Sequence, residues 1–543
     1  MQQEYFLHTD CIQELSSLFA FPTIIQLSST NKNYASFVFE IKHYDTIYYP
    51  SIHKFHHLQT IHFVNPNHVS SLYKMISLRD LYISNLNNLI LTDLIHLTKI
   101  HAENISLKDI LMLTNLKSIK SNAINMNFHL LNNFKKLESV HGLKKVDNLS
   151  LSYIITRLKS LDINSIIPID IQNNSKLTKV SVSANIRSYS NFNVQNCLNI
   201  EKISIAWMNQ VDIKNNSSLT FLEIDRSISM QVQKCISIRM LKLYLESDAE
   251  KIDSILNPLQ NLESFHLSYN PHWGKIKTIC FPSSFTKLTQ LKLVNVNVNL
   301  KKVETLFHTL KSLNVWNSMF VSEHSKNNSN DIILFKNLER LKIKYDTPDK
   351  SFNDWILFNP LTKLEIDDFL KVSSDSKRKL NKLSTLKYLR ITNCISWNAL
   401  PKLINLQTLK IDMDGDLDMV EKILDIINVF DHLTTLNVMK TDEYYGFEIE
   451  PSDLQKSNLK SLIHLKKFKT DCIFNCLSCF SYLTQLYYDF SNSSRKDKQN
   501  LFRFTKLRKL FLSGSSNSFG GKFEPSKIRE RLKQLNHFEH SVW

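Results

Sequence analysis

The chain repeats one short pattern of hydrophobic and polar positions along most of its length. The stretch Leu361-Thr-Lys-Leu364-Glu-Ile366 has near copies that begin at residues 177, 219, 288 and 433. The full pattern is apolar-x-x-Leu-x-x-Leu-x-Leu/Ile, and its second apolar position is called the anchor below. The anchors are Leu58, Leu78, Leu97, Leu116, Leu137, Leu158, Leu177, Ile200, Leu219, Ile238, Leu262, Leu288, Leu310, Leu338, Leu361, Leu386, Leu406, Leu433, Leu465, Leu483 and Leu507. Their mean spacing is about 22 residues, which is typical of a repeat protein.

Each copy predicts a short strand joined to a tight turn. Apolar spacing of three before the anchor indicates a helical turn, and spacing of two after it indicates a strand whose alternate side chains point inward. One copy cannot bury its apolar face alone, so neighbouring copies must stack. We therefore predict an α/β solenoid over residues 51–513, with a parallel concave sheet, a convex side that mixes turns with 3₁₀ and α-helix, and helical caps at both ends.

The repeat resembles the leucine-rich-repeat superfamily, specifically its short cytoplasmic type. The clearest copy runs from Leu400 through Leu403, Leu406 and Leu409 to Ile411. The resemblance implies a scaffold that recognises a partner through its concave face. The sequence departs from the family at the Asn ladder position, three residues after the last apolar residue of the strand. That position holds Asn and Cys in some copies and Ile, Val or Phe in others, so we expect an irregular ladder.

The first 50 residues have two interpretations. Helical apolar spacing and a Phe-Pro turn resemble the F-box, and the positions that would dock are Leu15, Leu18, Phe21, Ile24 and Leu27. That resemblance implies an adaptor that docks on a ubiquitin-ligase core subunit while the repeats select a substrate. The alternative is a helical N-terminal cap followed by a degenerate first repeat, with Tyr34 at the anchor and Phe37 and Phe39 after it.

The last 30 residues predict a helical cap over 514–543. Ile528, Leu532 and Leu535 recur at helical spacing after Pro525. A repeat array needs such a cover because its terminal repeat exposes an apolar face.

The composition favours a folded protein with acidic partners. The formal net charge is +16 and the pI is about 9.2, which suits an acidic protein, a nucleic acid or an anionic membrane surface. No secretory signal, transmembrane segment or paired-cysteine pattern is evident, so we expect a cytoplasmic or nuclear protein that is monomeric outside complexes.

No motif predicts catalysis, a cofactor or a metal site. Cys472, Cys476 and Cys479 have the spacing of an iron-sulfur motif, but they lie inside a repeat, where small buried side chains are required. The Gly-rich stretch 514–522 is too long for a phosphate loop. We therefore expect no enzymatic activity and no cofactor.

Candidate recognition residues lie between the inward positions of the strands, two, four and six residues after each anchor. In the second half of the chain these positions are rich in cations with interleaved aromatic residues, as in protein-recognition hot spots. The candidates are Lys292, Trp316, Arg340, Lys342, Lys363, Tyr388, Arg390, Lys410, Lys467 and Lys469. Aromatic residues Tyr487, Tyr488 and Phe511 extend the series. The sequence predicts a non-catalytic protein-interaction module; the alternative is a charge-driven binder of nucleic acid or anionic membrane.

Overall fold

A computed structural model shows a parallel β-solenoid. It describes residues 39–41, 60–63, 77–86, 91, 94–106, 110–125, 131, 133–144, 156–164, 168–184, 190–245, 252–270, 278–282, 285–299, 306–318, 320–321, 335–344, 360–367, 383–392, 403–413, 430, 432–440, 465–470, 482–489, 501, 504–514, 528 and 530–542. The chain divides into two compact units, Met1–Leu262 and Glu263–Trp543.

The first unit contains a main sheet and a second, smaller sheet. Its strands are β1 Phe39–Ile41, β2 Thr60–Phe63, β3 Asp80–Asn85, β4 Lys99–Ser106, β5 Ser118–Asn125, β6 Ser139–Lys144, β7 Ser160–Asn164, β8 Ile169–Gln172, β9 Lys179–Ser183, β10 Asn191–Gln195, β11 Lys202–Ala206, β12 Gln210–Lys214, β13 Phe221–Asp225, β14 Ser229–Gln233 and β15 Met240–Leu245. Strands β8, β10, β12 and β14 form the second sheet, and the others pair in chain order in the main sheet. A short helix, α1 Ile252–Leu256, follows β15.

The second unit has the same plan. Its strands are β16 Ser264–Tyr269, β17 Thr278–Cys280, β18 Gln290–Val294, β19 Asn297–Asn299, β20 Ser312–Trp316, β21 Phe320–Val321, β22 Arg340–Lys344, β23 Lys363–Asp367, β24 Tyr388–Thr392, β25 Thr408–Met413, β26 Thr435–Lys440, β27 Lys467–Thr470, β28 Gln485–Asp489, β29 Lys509–Gly514 and β30 His537–Val542. Strands β17, β19 and β21 form a small sheet, and the others pair in chain order and in parallel. The helix α2 spans Leu306–Thr309.

The repeat pattern predicts the main-sheet strands in both units. A main-sheet strand begins two residues after each of the twenty-one anchors. The residues three and five positions after the anchor point inward: Leu364 and Ile366, for example, are both fully buried. The predicted solenoid and its parallel sheet are therefore confirmed.

The described residues contain nearly no helix, so the predicted convex side with α-helix and the predicted helical caps receive no support there. The apolar spacing of three forms single turns, closed by bonds such as Leu406 N–H to the Leu403 carbonyl, 3.0 Å. The two described helices, α1 and α2, have only five and four residues.

The C-terminal segment ends in a strand rather than in the predicted helical cap. A helical turn closes with Leu532 N–H donating to the Ile528 carbonyl, but β30 then pairs in parallel with β29. Leu535 acts as a further anchor, because the backbone N–H groups of the two residues after it both donate to the Arg508 carbonyl. The helical spacing of Ile528, Leu532 and Leu535 concealed this additional repeat.

The degenerate first repeat is present with a different register. Phe39 pairs with Ile61, and Ile41 pairs with Phe63. The predicted alignment, with Tyr34 at the anchor, would place Phe39 opposite Phe63, so the strand is shifted by two residues. The other residues of the predicted N-terminal cap, including the possible docking residues Leu15, Leu18, Phe21, Ile24 and Leu27, lie outside the described part of the chain.

Threonine side chains bind seven of the coils to the preceding coil, along the edge where the main-sheet strands begin. The Glu339 carbonyl accepts the Thr362 N–H, the Lys363 N–H and the Thr362 hydroxyl, at 2.9, 3.0 and 3.1 Å. The same threonine contact recurs at Thr98, Thr178, Thr220, Thr289, Thr434 and Thr484. The frequent Thr after the anchor leucine is therefore a structural residue that satisfies a backbone carbonyl.

Candidate functional site

The structure places all ten candidate recognition residues in strands of one sheet, in the second unit, at the positions that alternate with the core residues; for Lys469 this describes the backbone alone. They occupy strands β18, β20, β22, β23, β24, β25 and β27. With neighbouring strands about 4.8 Å apart, the series extends roughly 34 Å along the sheet. We call these positions from β18 to β27 the recognition face.

The centre of the recognition face is an ion-pair cluster around Glu365 on β23. The Lys363 ammonium lies 2.7 Å from one carboxylate oxygen of Glu365, and the Lys342 ammonium lies 3.5 Å from the other. The Glu365 side chain is only 12% exposed. Burial acts to raise the pKa of Glu365, but the hydrogen bond from Lys363 and the charges of Lys363 and Lys342 outweigh it, so the pKa lies below its ordinary value. Glu365 therefore forms ion pairs with two of the candidate lysines, the closer of them with Lys363.

Arg390 on β24 is held by a second carboxylate. Its Nε and one terminal nitrogen donate to the same Asp412 oxygen, at 2.8 and 2.5 Å. The Asp412 side chain is 14% exposed. Charge-assisted bonds in such a partly desolvated place are stronger than those of solvated surface pairs. Arg390 is therefore oriented before any partner binds.

Two aromatic rings on the recognition face are flanked by lysines. The Lys363 and Lys410 ammonium groups lie 4.6 and 5.6 Å from the ring centroid of Tyr388. The Lys344 ammonium lies 4.3 Å from the Trp316 ring centroid. Burial, followed by the charge of Glu365, raises the pKa of Tyr388, so its phenol remains a hydrogen-bond donor at neutral pH. Tyr388 and Trp316 present half-buried rings of the type that anchors protein interfaces.

The remaining candidates flank this cluster. Arg340 is exposed and pairs through its backbone with Ser312 and Lys363. Lys292 on β18 is separated from Lys342 by Asn314. Exposed Lys467 and its strand neighbour Lys469 are separated from β25 by the Thr435 and Asn437 positions of β26. The structure therefore brings the candidates of β22–β25 together and leaves Lys292, Lys467 and Lys469 at the ends.

Of the aromatic residues in the extended series, two are outward and one is buried. Tyr487 and Phe511 stack with ring centroids 4.1 Å apart and planes inclined by 2°. Tyr488 is 2% exposed, because it lies five residues after Leu483 and points into the core. The prediction that Tyr488 belongs to the outward series is therefore wrong.

Several functional classes have no geometric support in the described residues. There, no group of three or more His, Cys, Asp or Glu side chains could hold a metal ion, and no helix has the length and apolarity needed to cross a bilayer. Cys472, Cys476 and Cys479 lie outside those residues. No family model matches the chain, and no curated protein matches it either.

Proposed function

We propose that the chain is a non-catalytic recognition protein of the leucine-rich-repeat class that binds a protein partner through the recognition face. The observation that carries this proposal is the preorganised cluster on β22–β25. Glu365 and Asp412 form ion pairs with Lys342, Lys363 and Arg390 beside Tyr388. Side chains that are already ordered lose little entropy when a partner binds, which favours specific recognition.

The alternative, a charge-driven binder of nucleic acid or anionic membrane, receives less support from this face. Affinity for a polyanion depends on cations whose counterions are released on binding. On the recognition face, the carboxylates of Glu365 and Asp412 already neutralise neighbouring cations. The alternation of paired positive and negative charges suits a protein surface of matching charge better than a uniform phosphate backbone.

The proposal is tested by affinity purification from an extract of the source organism. The full chain is compared with the double variant Trp316→Ala/Tyr388→Ala and with Tyr82→Ala, which removes a half-buried aromatic side chain from a main-sheet strand of the first unit. We expect proteins that both wild type and Tyr82→Ala recover to be lost with the double variant. Recovery of the same proteins by all three chains would show that the recognition face is not the binding surface.

A narrower version of the proposal is that the chain is a substrate adaptor of a ubiquitin ligase. It is supported only by the F-box resemblance of Leu15, Leu18, Phe21, Ile24 and Leu27. The full chain is compared with a chain that begins at Val38, because this truncation keeps β1 and its pairing with β2. We expect the full chain to recover ligase-core subunits and the truncated chain to lose them while retaining other partners. Failure of the full chain to recover such subunits would rule out the adaptor role.

A further inference from the structure

A groove runs along the edge of the second unit where strands β23–β27 begin. Its volume is about 900 Å³, and nine described residues line it. These residues lie one or two positions before an anchor or one position after it, so they belong neither to the core nor to the recognition face. The groove is therefore a separate surface, and the inference below does not depend on the proposed function.

The floor of the groove is fixed by contacts between coils. The hydroxyls of Thr362, Thr385 and Thr434 donate to backbone carbonyls of preceding coils at 3.1, 2.8 and 3.1 Å. The Asn405 amide donates to the Ser384 carbonyl at 2.6 Å. Because these side chains hold successive coils together, the groove keeps its form without a ligand.

The groove differs from the recognition face in its charge. Lys387, His432 and Lys466 line it together with the polar side chains of Ser384 and Gln407, and all five residues are exposed. None of the nine described lining residues is acidic. Whereas Glu365 and Asp412 neutralise cations on the recognition face, the described groove residues include no carboxylate to do so. The groove therefore offers positive charge and hydrogen-bonding groups to an anionic ligand.

We propose that this groove binds an extended acidic peptide segment whose carboxylates are spaced about four residues apart. Lys387 and Lys466 lie next to strands β24 and β27, three strand spacings or about 14 Å apart. Four residues of extended chain cover about the same distance. His432 precedes β26 and lies between the two lysines in coil order. A peptide is favoured over single-stranded nucleic acid because no described lining residue has a benzene or indole ring on which bases would stack.

The test measures the binding of labelled peptides to the full chain by fluorescence anisotropy. The probe is a Gly/Ser peptide of roughly twelve residues with Glu at every fourth position, and two further peptides carry the same Glu residues in one block or Gln in their place. The groove variant is Lys387→Gln/Lys466→Gln. The control variant, Lys117→Gln/Lys176→Gln, removes the same charge from exposed positions beside anchors in the first unit. All substituted side chains are exposed, so thermal melting of both variants should match wild type.

We expect the spaced-Glu peptide to bind wild type and the control variant within about twofold of each other, and the groove variant at least roughly fivefold more weakly. The block and Gln peptides should bind wild type more weakly than the spaced peptide.

Two results would overturn the proposal. Equal losses of affinity in both double variants would show that only net charge matters, and equal binding of the three peptides would show that the spacing of the carboxylates does not. A dT oligonucleotide of equal charge that binds more tightly, and loses affinity only in the groove variant, would identify the groove as a nucleic-acid site and also overturn it. Absence of detectable binding to wild type would have the same consequence.

Discussion

At the scale of single residues, buried polar side chains maintain the coils of the first unit. Asn216 is fully buried; its side-chain oxygen accepts the Cys197 N–H at 2.9 Å, and its amide donates to the Val194 carbonyl at 3.1 Å. Asn174, Cys197, Asn216 and Cys235 occupy the same position, three residues before successive anchors. In the other coils this position holds an apolar residue, which is Leu or Phe in all but two of them (Met75 and Ile155). Asn or Cys at this position therefore marks the coils that contain a strand of the second sheet. In these coils the backbone groups at the corner after that strand need a hydrogen-bond partner.

Asn216→Ala should lower the free energy of unfolding of the first unit by about 3 kcal/mol, because it leaves a buried N–H and a buried carbonyl without partners. Asn216→Cys should cost less, since cysteine occupies the equivalent position in neighbouring coils. Asn199→Ala removes an exposed amide contact to the Ser175 carbonyl and should cost about 1 kcal/mol or less. Urea unfolding with hydrogen exchange of β10–β14 measures all three. Equal losses of unfolding free energy in Asn216→Ala and Asn199→Ala would show that the buried contacts of Asn216 contribute no more than an exposed contact.

The ionisation of Glu365 makes the stability of the fold around the recognition face depend on pH. The pKa of Glu365 in the folded chain lies below the reference value of 4.5. The ionised carboxylate therefore stabilises the fold fully above about pH 4.5, and this contribution is lost as the pH falls through the folded pKa. Glu365→Gln should reduce the loss of stability below pH 4.5, and thermal melting between neutral and acidic pH measures it. Lys342 and Lys363 would then lack a charged partner at all pH values, so the variant should be less stable than wild type at pH 7. A wild-type pH profile retained in Glu365→Gln would show that other groups govern the acid transition.

At the scale of elements, the main-sheet strands could be predicted from the sequence and the second sheets could not. Each anchor fixes a strand because burial of the residues at +3 and +5 permits one register. Strands β8, β10, β12 and β14 carry the same alternation, for example Val211 and Ile213, but each lies between two anchors where a return segment was expected. Non-glycine residues with positive φ, such as Asn196 and Asn215, form the corners after these strands. The short apolar alternation followed by Asn was the available signal.

The candidate site could be predicted only in part, for a related physical reason. Periodicity determines which strand positions alternate with the core positions, so the ten candidates lie in the expected strands at the expected spacing from their anchors. It does not determine that Lys342 and Lys363 share Glu365, because that contact depends on the register of β22 against β23. The edge groove was not predicted either, because its residues lie beside the anchors at positions that appeared to be turns.

The final strand provides a test at this scale. If β30 packs on the core beside β29, Phe538→Asp should lower the free energy of unfolding of the second unit by about 1–2 kcal/mol. The reason is that Phe538 occupies an inward position opposite Leu510. Glu539→Lys changes the neighbouring exposed residue and should have little effect. Hydrogen exchange of the β29 and β30 amides distinguishes the two. Similar exchange in both variants would indicate that the inward position contributes no packing.

At the scale of the whole molecule, a net charge of +16 must be separated from specific recognition. A chain with this charge is expected to bind polyanions weakly and in a manner that salt suppresses. On the recognition face, however, Glu365 and Asp412 pair with the central cations, and Tyr388 provides apolar contact area. Specific binding and polyanion binding should therefore respond differently to salt and to substitution.

Binding of a single-stranded oligonucleotide should weaken by at least about tenfold between 50 and 200 mM salt, since several phosphate contacts would be lost. Tyr388→Ala should leave that binding within about twofold of wild type, because binding driven by net charge is spread over many cations; a larger loss would show that bases stack on this ring. Binding of a protein partner recovered with wild type should show the opposite behaviour: a modest response to salt, and a loss of about tenfold or more in Tyr388→Ala, as expected for an aromatic hot spot. Anisotropy titrations of both ligands against both chains provide the comparison. If the protein partner follows the oligonucleotide in its salt response and is insensitive to Tyr388→Ala, the charge of the whole chain, rather than the cluster on β22–β25, accounts for its binding.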